Sequence, residues 1–173
     1  MKPDKTFDPR LAAKKLLREA RSGALATLMP GSGDPYCSLV NVATTVRAAP
    51  VLLLSDLALH TKNLQSDARA PLMVDERKVG DPLEGARVML MGRCAKDDDP
   101  ATRVAYLRRH PDAEMYANFS DFSFYRMEIG HAHLVAGFGR IVDLKPKDIL
   151  TDVAGAQALA EGEADAIPPA AHH

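Results

Sequence analysis

The chain contains no tryptophan, and aromatic residues fill only 5% of its 173 positions. Single-stranded nucleic acid is held by successive aromatic platforms, and these are missing. Positive charge is not in excess either: Lys and Arg total 22 against 23 Asp and Glu, for a formal net charge of −1. Proteins that wrap nucleic acid carry a basic surplus. No apolar run approaches the ~20 residues that span a bilayer, and MKPDKTFDPR lacks the apolar middle of a secretory signal. The expectation is a cytoplasmic protein with no nucleic-acid and no membrane partner. Only two cysteines occur, Cys37 and Cys94, far apart in apolar, strand-like surroundings. That excludes a disulfide framework and a CxxC pair, and both read as buried free thiols. Neither GxGxxG nor GxxxxGK[ST] occurs, and no serine elbow points to a hydrolase.

The apolar share of 46% and charged share of 26% are ordinary globular values, and the length suits one domain with a sizeable core. FDPRLAAKKLLREARSG predicts an amphipathic helix. Asp8 caps it, Pro9 takes the first position and Gly23 ends it, with Leu11, Ala12, Leu16 and Ala20 on the buried stripe. ALATLM and YCSLVNVATTV flank the turn formers PGSGDP and predict a hairpin. VLLLS, PLMVDER, ARVMLMGRCAK and the run from DFSFYRM to GRIVDL add further strands. DDDPATRVAYLRRHPDAEMYANF reads as a helix interrupted before Pro111 and resumed beyond it. Short strands with turn signals between them favour an antiparallel barrel with peripheral helices over a doubly wound sheet. The last residues fade into an Ala/Glu/Pro tail that is expected to be mobile, with His172 and His173 at its end.

One stretch departs from plain barrel grammar. VLLLSDLALHTKNLQSDARAPLMV leaves a strand, enters a short helix through His60, Thr61, Lys62 and Asn63, and returns to a strand. The first N–H groups of a helix lack partners, and the peptide dipoles make that end positive, so an anion is well placed there. An ammonium at Lys62, hydroxyls at Ser55 and Thr61 and an imidazole at His60 add donors around such an anion. The same residues also read as ordinary caps and solvated side chains.

The succession GALATL, GDPYCSLVNVA, PVLLLSDLALHTKNLQSDARAPLMV, ARVMLMGRC, YLRRHPDAEMYANFSDFSFYRM and AHLVAGFGR resembles the FMN-binding split β-barrel of pyridoxamine 5′-phosphate oxidase relatives. Within that family it is most similar to the heme-utilisation (HugZ-like) branch. The resemblance implies a mainly β (α+β) protein: a six-stranded antiparallel split barrel of Greek-key type over residues 1–149. It also implies a homodimer with FMN in a groove between protomers, acting as an oxidoreductase on a small redox substrate. The phosphate would be gripped near Ser38, His60, Thr61, Lys62 and Asn63, with Ser55 close by. The ring would lie against backbone from Asn41 through Val42 to Thr44, and the partner would reach in with Phe138, Gly139 and Arg140. Pyridoxamine 5′-phosphate oxidases proper carry a tryptophan and an Arg-x-His pattern near the C-terminus. Both are missing here, which argues against that activity. Heme-utilising relatives extend into a C-terminal domain, of which residues 150–173 are expected to be a vestige.

Heme in the same dimer groove is the alternative ligand, and a non-catalytic barrel scaffold is a third reading. His131 and His133, two apart on a strand, share a face and are candidates for heme iron or a metal. Arg108, Arg109 and His110 form a basic cluster at a helix end, where the dipole favours cations and heme propionates are a further candidate. Phe124 and Tyr125 read as barrel core. No side chain is assigned as catalytic acid or base, because the flavin would carry the chemistry.

Overall fold

In the computed structural model, which describes residues 6–152 and 154–157, helix α1 spans Pro9–Glu19. The Asp8 carboxylate accepts from the N–H groups of Arg10 and Leu11 at 2.9 and 3.3 Å. Pro9 stands first, where a missing N–H costs nothing. The stop differs from the expected one: Ala20 turns extended, and Gly23 lies inside the next strand. A side chain on Gly23 would strike the carbonyl of Met73, so this glycine serves close strand packing. Ala13, Leu16, Leu17 and Ala20 form the buried stripe, while Leu11 is exposed.

The remaining elements follow in order: β1 (Ser22–Leu28), β2 (Pro35–Asn41), β3 (Ala43–Thr44), β4 (Pro50–Ser55), α2 (Leu59–Ser66), β5 (Arg69–Asp75), β6 (Arg87–Lys96), α3 (Pro100–Arg109), β7 (Phe122–Val135), β8 (Ile141–Leu144) and α4 (Pro146–Ile149). Tight helical turns occupy Pro82–Glu84 and, beyond the break at Pro111, Pro111–Met115. All pairings are antiparallel, in the order β2-β1-β5-β6-β7-β4-β3 with β8 on β7. That makes eight strands among the described residues, where six were expected. Part of the difference is Val42. Its N–H donates to the Arg21 carbonyl at 2.9 Å and its own carbonyl is held by His110 Nε2 at 2.8 Å. Both groups are thereby withdrawn from the ladders, which splits one long strand into β2 and β3. Because the sheet path begins on β2 and ends on β3, its two edges meet on one stretch of chain and the sheet curls into a split barrel.

β4 explains its own sequence. Leu52 and Leu54 join the barrel core, whereas Val51 and Leu53 join a second cluster with Tyr106 beneath α3. A strand covered on both faces reads as a continuous apolar run. Tyr125 lies in the barrel core as expected, and Phe124 packs against the second cluster. Cys94 is buried, and desolvation pushes its thiol up to about 12. Cys37, expected to be buried, is exposed on the outer side of β2. On β7 the register against β6 slips between Met91 and Gly92, leaving Gly130 as an unpaired bulge residue. The tail that was expected to be mobile, with His172 and His173, lies outside the described residues. Among the described residues no helix is long and apolar enough to cross a membrane.

Candidate functional site

α2 starts at Leu59, straight off the end of β4, and sets its first turn against β2. The structure brings Ser38 and His60 together: Ser38 Oγ lies 3.0 Å from His60 Nδ1. Burial lowers the pKa of His60, so the imidazole is neutral at neutral pH. Beside this pair opens a groove of about 360 Å³, walled by Asn41, Ser55, His60, Tyr106, Tyr116 and Phe122. The aromatic wall comes from α3, the tight turn after it and the first residue of β7. Sequence reading had not assigned Tyr106, Tyr116 or Phe122 to the site. Their signal, a rare cluster of aromatics in an aromatic-poor chain, is visible only once α3 is known to fold over β4.

The other expected phosphate donors do not line this wall as a set. Thr61 and Asn63 are fully buried. Asn63 donates through Nδ2 to Thr27 Oγ1 at 3.0 Å, while Thr61 Oγ1 and Asn63 Oδ1 have no hydrogen-bond partner in the interior. Ser55 donates to a carboxylate oxygen of Asp121 at 2.9 Å, and that negative charge is poorly matched to a phosphate. Lys62 is exposed and is not part of the groove wall. Asn41 lines the groove, but Val42 is buried behind it with both backbone groups in use. Phe138 and Arg140 sit in the turn between β7 and β8, outside the groove wall of their own chain; Phe138 is exposed, and the Arg140 guanidinium stacks on Phe7 at 4.6 Å.

The basic cluster divides. His110 is buried, its pKa is lowered chiefly by desolvation, and its Nε2–H donates to Val42. Arg108 and Arg109 instead join Arg18 and Arg21 around a second hollow of about 290 Å³. His131 and His133 do share a face, and both meet one Asp143 carboxylate oxygen, at 3.4 and 2.8 Å. Neither Glu128 nor Cys94 takes part in that contact. Among the described residues no group of three or more His, Cys, Asp and Glu side chains is arranged to hold a metal.

Residues 7–150 match the family described as CREG, beta-barrel. The chain belongs to this family. It is a split barrel of the pyridoxamine 5′-phosphate oxidase-like superfamily, as the resemblance implied, and proteins named for heme are among those it is similar to. The chloroplastic heme oxygenase HOZ of Arabidopsis thaliana is 31% identical over 138 residues, covering 74% of this chain and 41% of that protein. The chain thus spans about two fifths of that relative. A solved structure of a heme-binding protein from Mycobacterium smegmatis is 31% identical, with a TM-score of 0.77 over 92% of this chain and 69% of that one. Campylobacter jejuni ChuZ, at 18% identity, shares the fold with a TM-score of 0.70 over 85% of this chain and 62% of its own.

Proposed function

We propose that this protein binds heme in the groove beside His60, with a second copy of the chain completing the site. The observation that carries this reading is the state of His60. Iron takes a neutral imidazole, and the nitrogen not bound to the metal is held by a hydrogen bond. His60 is half-buried and neutral at neutral pH, and in the tautomer whose Nδ1–H donates to Ser38 its Nε2 would be the ligand atom. Tyr106, Tyr116 and Phe122 supply the flat apolar wall that a porphyrin plane needs. Two relatives above 30% identity are named for heme, which supports the same ligand. A hollow of about 360 Å³ encloses only part of a macrocycle. Leu39, Leu57, Met115 and Phe119 stand exposed near it, an apolar rim suited to a partner copy. Heme bound here would supply dioxygen binding and electron transfer; His60 would hold the iron, Ser38 would orient the imidazole, and Tyr106, Tyr116 and Phe122 would keep water from the groove.

FMN is the second reading, favoured by the Ser38–His60 pair, which joins a strand and a helix start as a phosphate grip requires. Burial of Thr61 and Asn63 and the engagement of Ser55 by Asp121 speak against it. Separate titrations with hemin and FMN, each followed by desalting, decide between them. The expected result is a retained Soret band in wild type. His60→Ala should shift that band and weaken hemin binding at least tenfold. Retained flavin absorbance without a Soret band replaces heme by FMN. Loss of the Soret band in air with a reductant, from loaded protein only, would extend the reading from binding to oxidative heme degradation.

A further inference from the structure

The outer face of an antiparallel sheet is ordinarily polar, and the ends of β5, β6 and β7 obey this with Arg69, Asp75, Arg87, Arg93 and Glu128. Their middle does not. Outward positions there carry Met73, Met89, Met91, His131 and His133, all at least partly exposed. The register aligns them closely: Met89 faces His133, Met91 faces His131, and Met73 faces Met89. Side chains directly opposite on antiparallel strands have Cβ atoms roughly 4.5–5.5 Å apart, within reach of one common point for two thioethers and two imidazoles.

The bulge creates this arrangement. Arg126 and Glu128 face outward, so unbroken alternation would send Gly130 and Ala132 outward and turn both histidines into the barrel. Gly130 is the extra residue, and past it the parity flips, with Ala132 and Leu134 buried. Gly92 opposite has no room for a side chain, since a Cβ there would collide with the Glu128 carbonyl. Asp143 of β8 then touches His133 Nδ1 and His131 Nε2 through one oxygen. That leaves His133 Nε2 and His131 Nδ1 as ligand atoms, oriented from behind by a carboxylate as metal-bound histidines commonly are.

We propose that Met89, Met91, His131 and His133 form a site for a soft monovalent cation of the Cu(I) class. Thioethers select soft ions, while hard cations need oxygen ligands and structural zinc prefers thiolates with imidazole. This site is separate from the groove beside His60 and does not depend on its ligand.

The test uses Ag(I), which needs no reductant, in chloride-free buffer. The background is Cys37→Ser, His172→Ala and His173→Ala, which removes the exposed thiol and the terminal imidazoles. Calorimetry and metal analysis after desalting are expected to give one tightly bound Ag(I) per chain, displaced by Cu(I). Met89→Leu with Met91→Leu preserves side-chain volume and is expected to weaken Ag(I) binding at least tenfold without changing the fold by circular dichroism. His131→Gln with His133→Gln should do the same, keeping the test open if the Leu variant misfolds. Affinity unchanged in both variants overturns the proposal, as does Zn(II) binding as tightly as Ag(I). No bound Ag(I) at all also overturns it and leaves the methionine face as an apolar surface only.

Discussion

At the residue scale the informative groups are the histidines, because burial sorts them. His60 and His110 both have lowered pKa values, chiefly through desolvation. The sign follows: between the folded value and the ordinary 6.5, the unfolded chain binds more protons than the folded one. Stability is therefore full above about 6.5 and falls as pH drops through that window. Thermal denaturation should show Tm decreasing from pH 7.5 to 5. His110→Gln, which keeps a donor for the Val42 carbonyl but does not titrate, should flatten part of that slope, and His60→Gln with His110→Gln more of it. A wild-type Tm independent of pH over this range would contradict the neutral-imidazole assignment on which the heme reading rests. His131 and His133 were legible as a pair on one face. The carboxylate between them was not, because β8 approaches only after the chain has turned at Gly137 and Gly139.

At the scale of single elements, local sequence was a reliable guide to starts and to the break before Pro111, and a poor one to the stop of α1. Asp8 and Pro9 define the start of α1 by chemistry confined to neighbouring residues. Asp8→Ala should cost about 1 kcal/mol, read as a Tm lower by roughly 2–4 °C for a domain of this size. Gly23 misled as a stop, because its reason for being glycine is Met73, fifty residues later in the chain. The β7 bulge is a similar case. Gly92→Ala places a methyl group against the Glu128 carbonyl and should destabilise by about 1–3 kcal/mol, as overpacking does. If the methyl is tolerated at no cost in Tm, the bulge is more plastic than the register implies. The start of α2 shows both sides. Its position after β4 was readable, but Thr61 and Asn63 turned inward, which helical phase against β1 decides.

For the whole molecule, the sheet order makes the site. β2, the consecutive β4 and α2, and the distant α3 converge, and that puts an aromatic wall beside His60. A protomer shows only half of the proposed enclosure. Sedimentation is expected to give twice the chain mass. Leu39→Glu with Phe119→Glu should shift the protein toward monomer and lower hemin affinity in the same titration. Loss of the dimer with hemin affinity intact would mean that one chain suffices for the site.

The sequence by itself determined the composition of the core, the starts of the helices, the antiparallel barrel class and the placing of His60, Thr61, Lys62 and Asn63 at a helix start. Each of these depends on residues close together in the chain or on their periodicity. Only the tertiary structure decided that Val42 would split a strand, that Cys37 would face outward and that Ser55 would be taken by Asp121. It also decided that His131 and His133 would stand opposite Met91 and Met89. Those outcomes depend on strand register and on backbone groups competing for partners, and neither is written in any one segment.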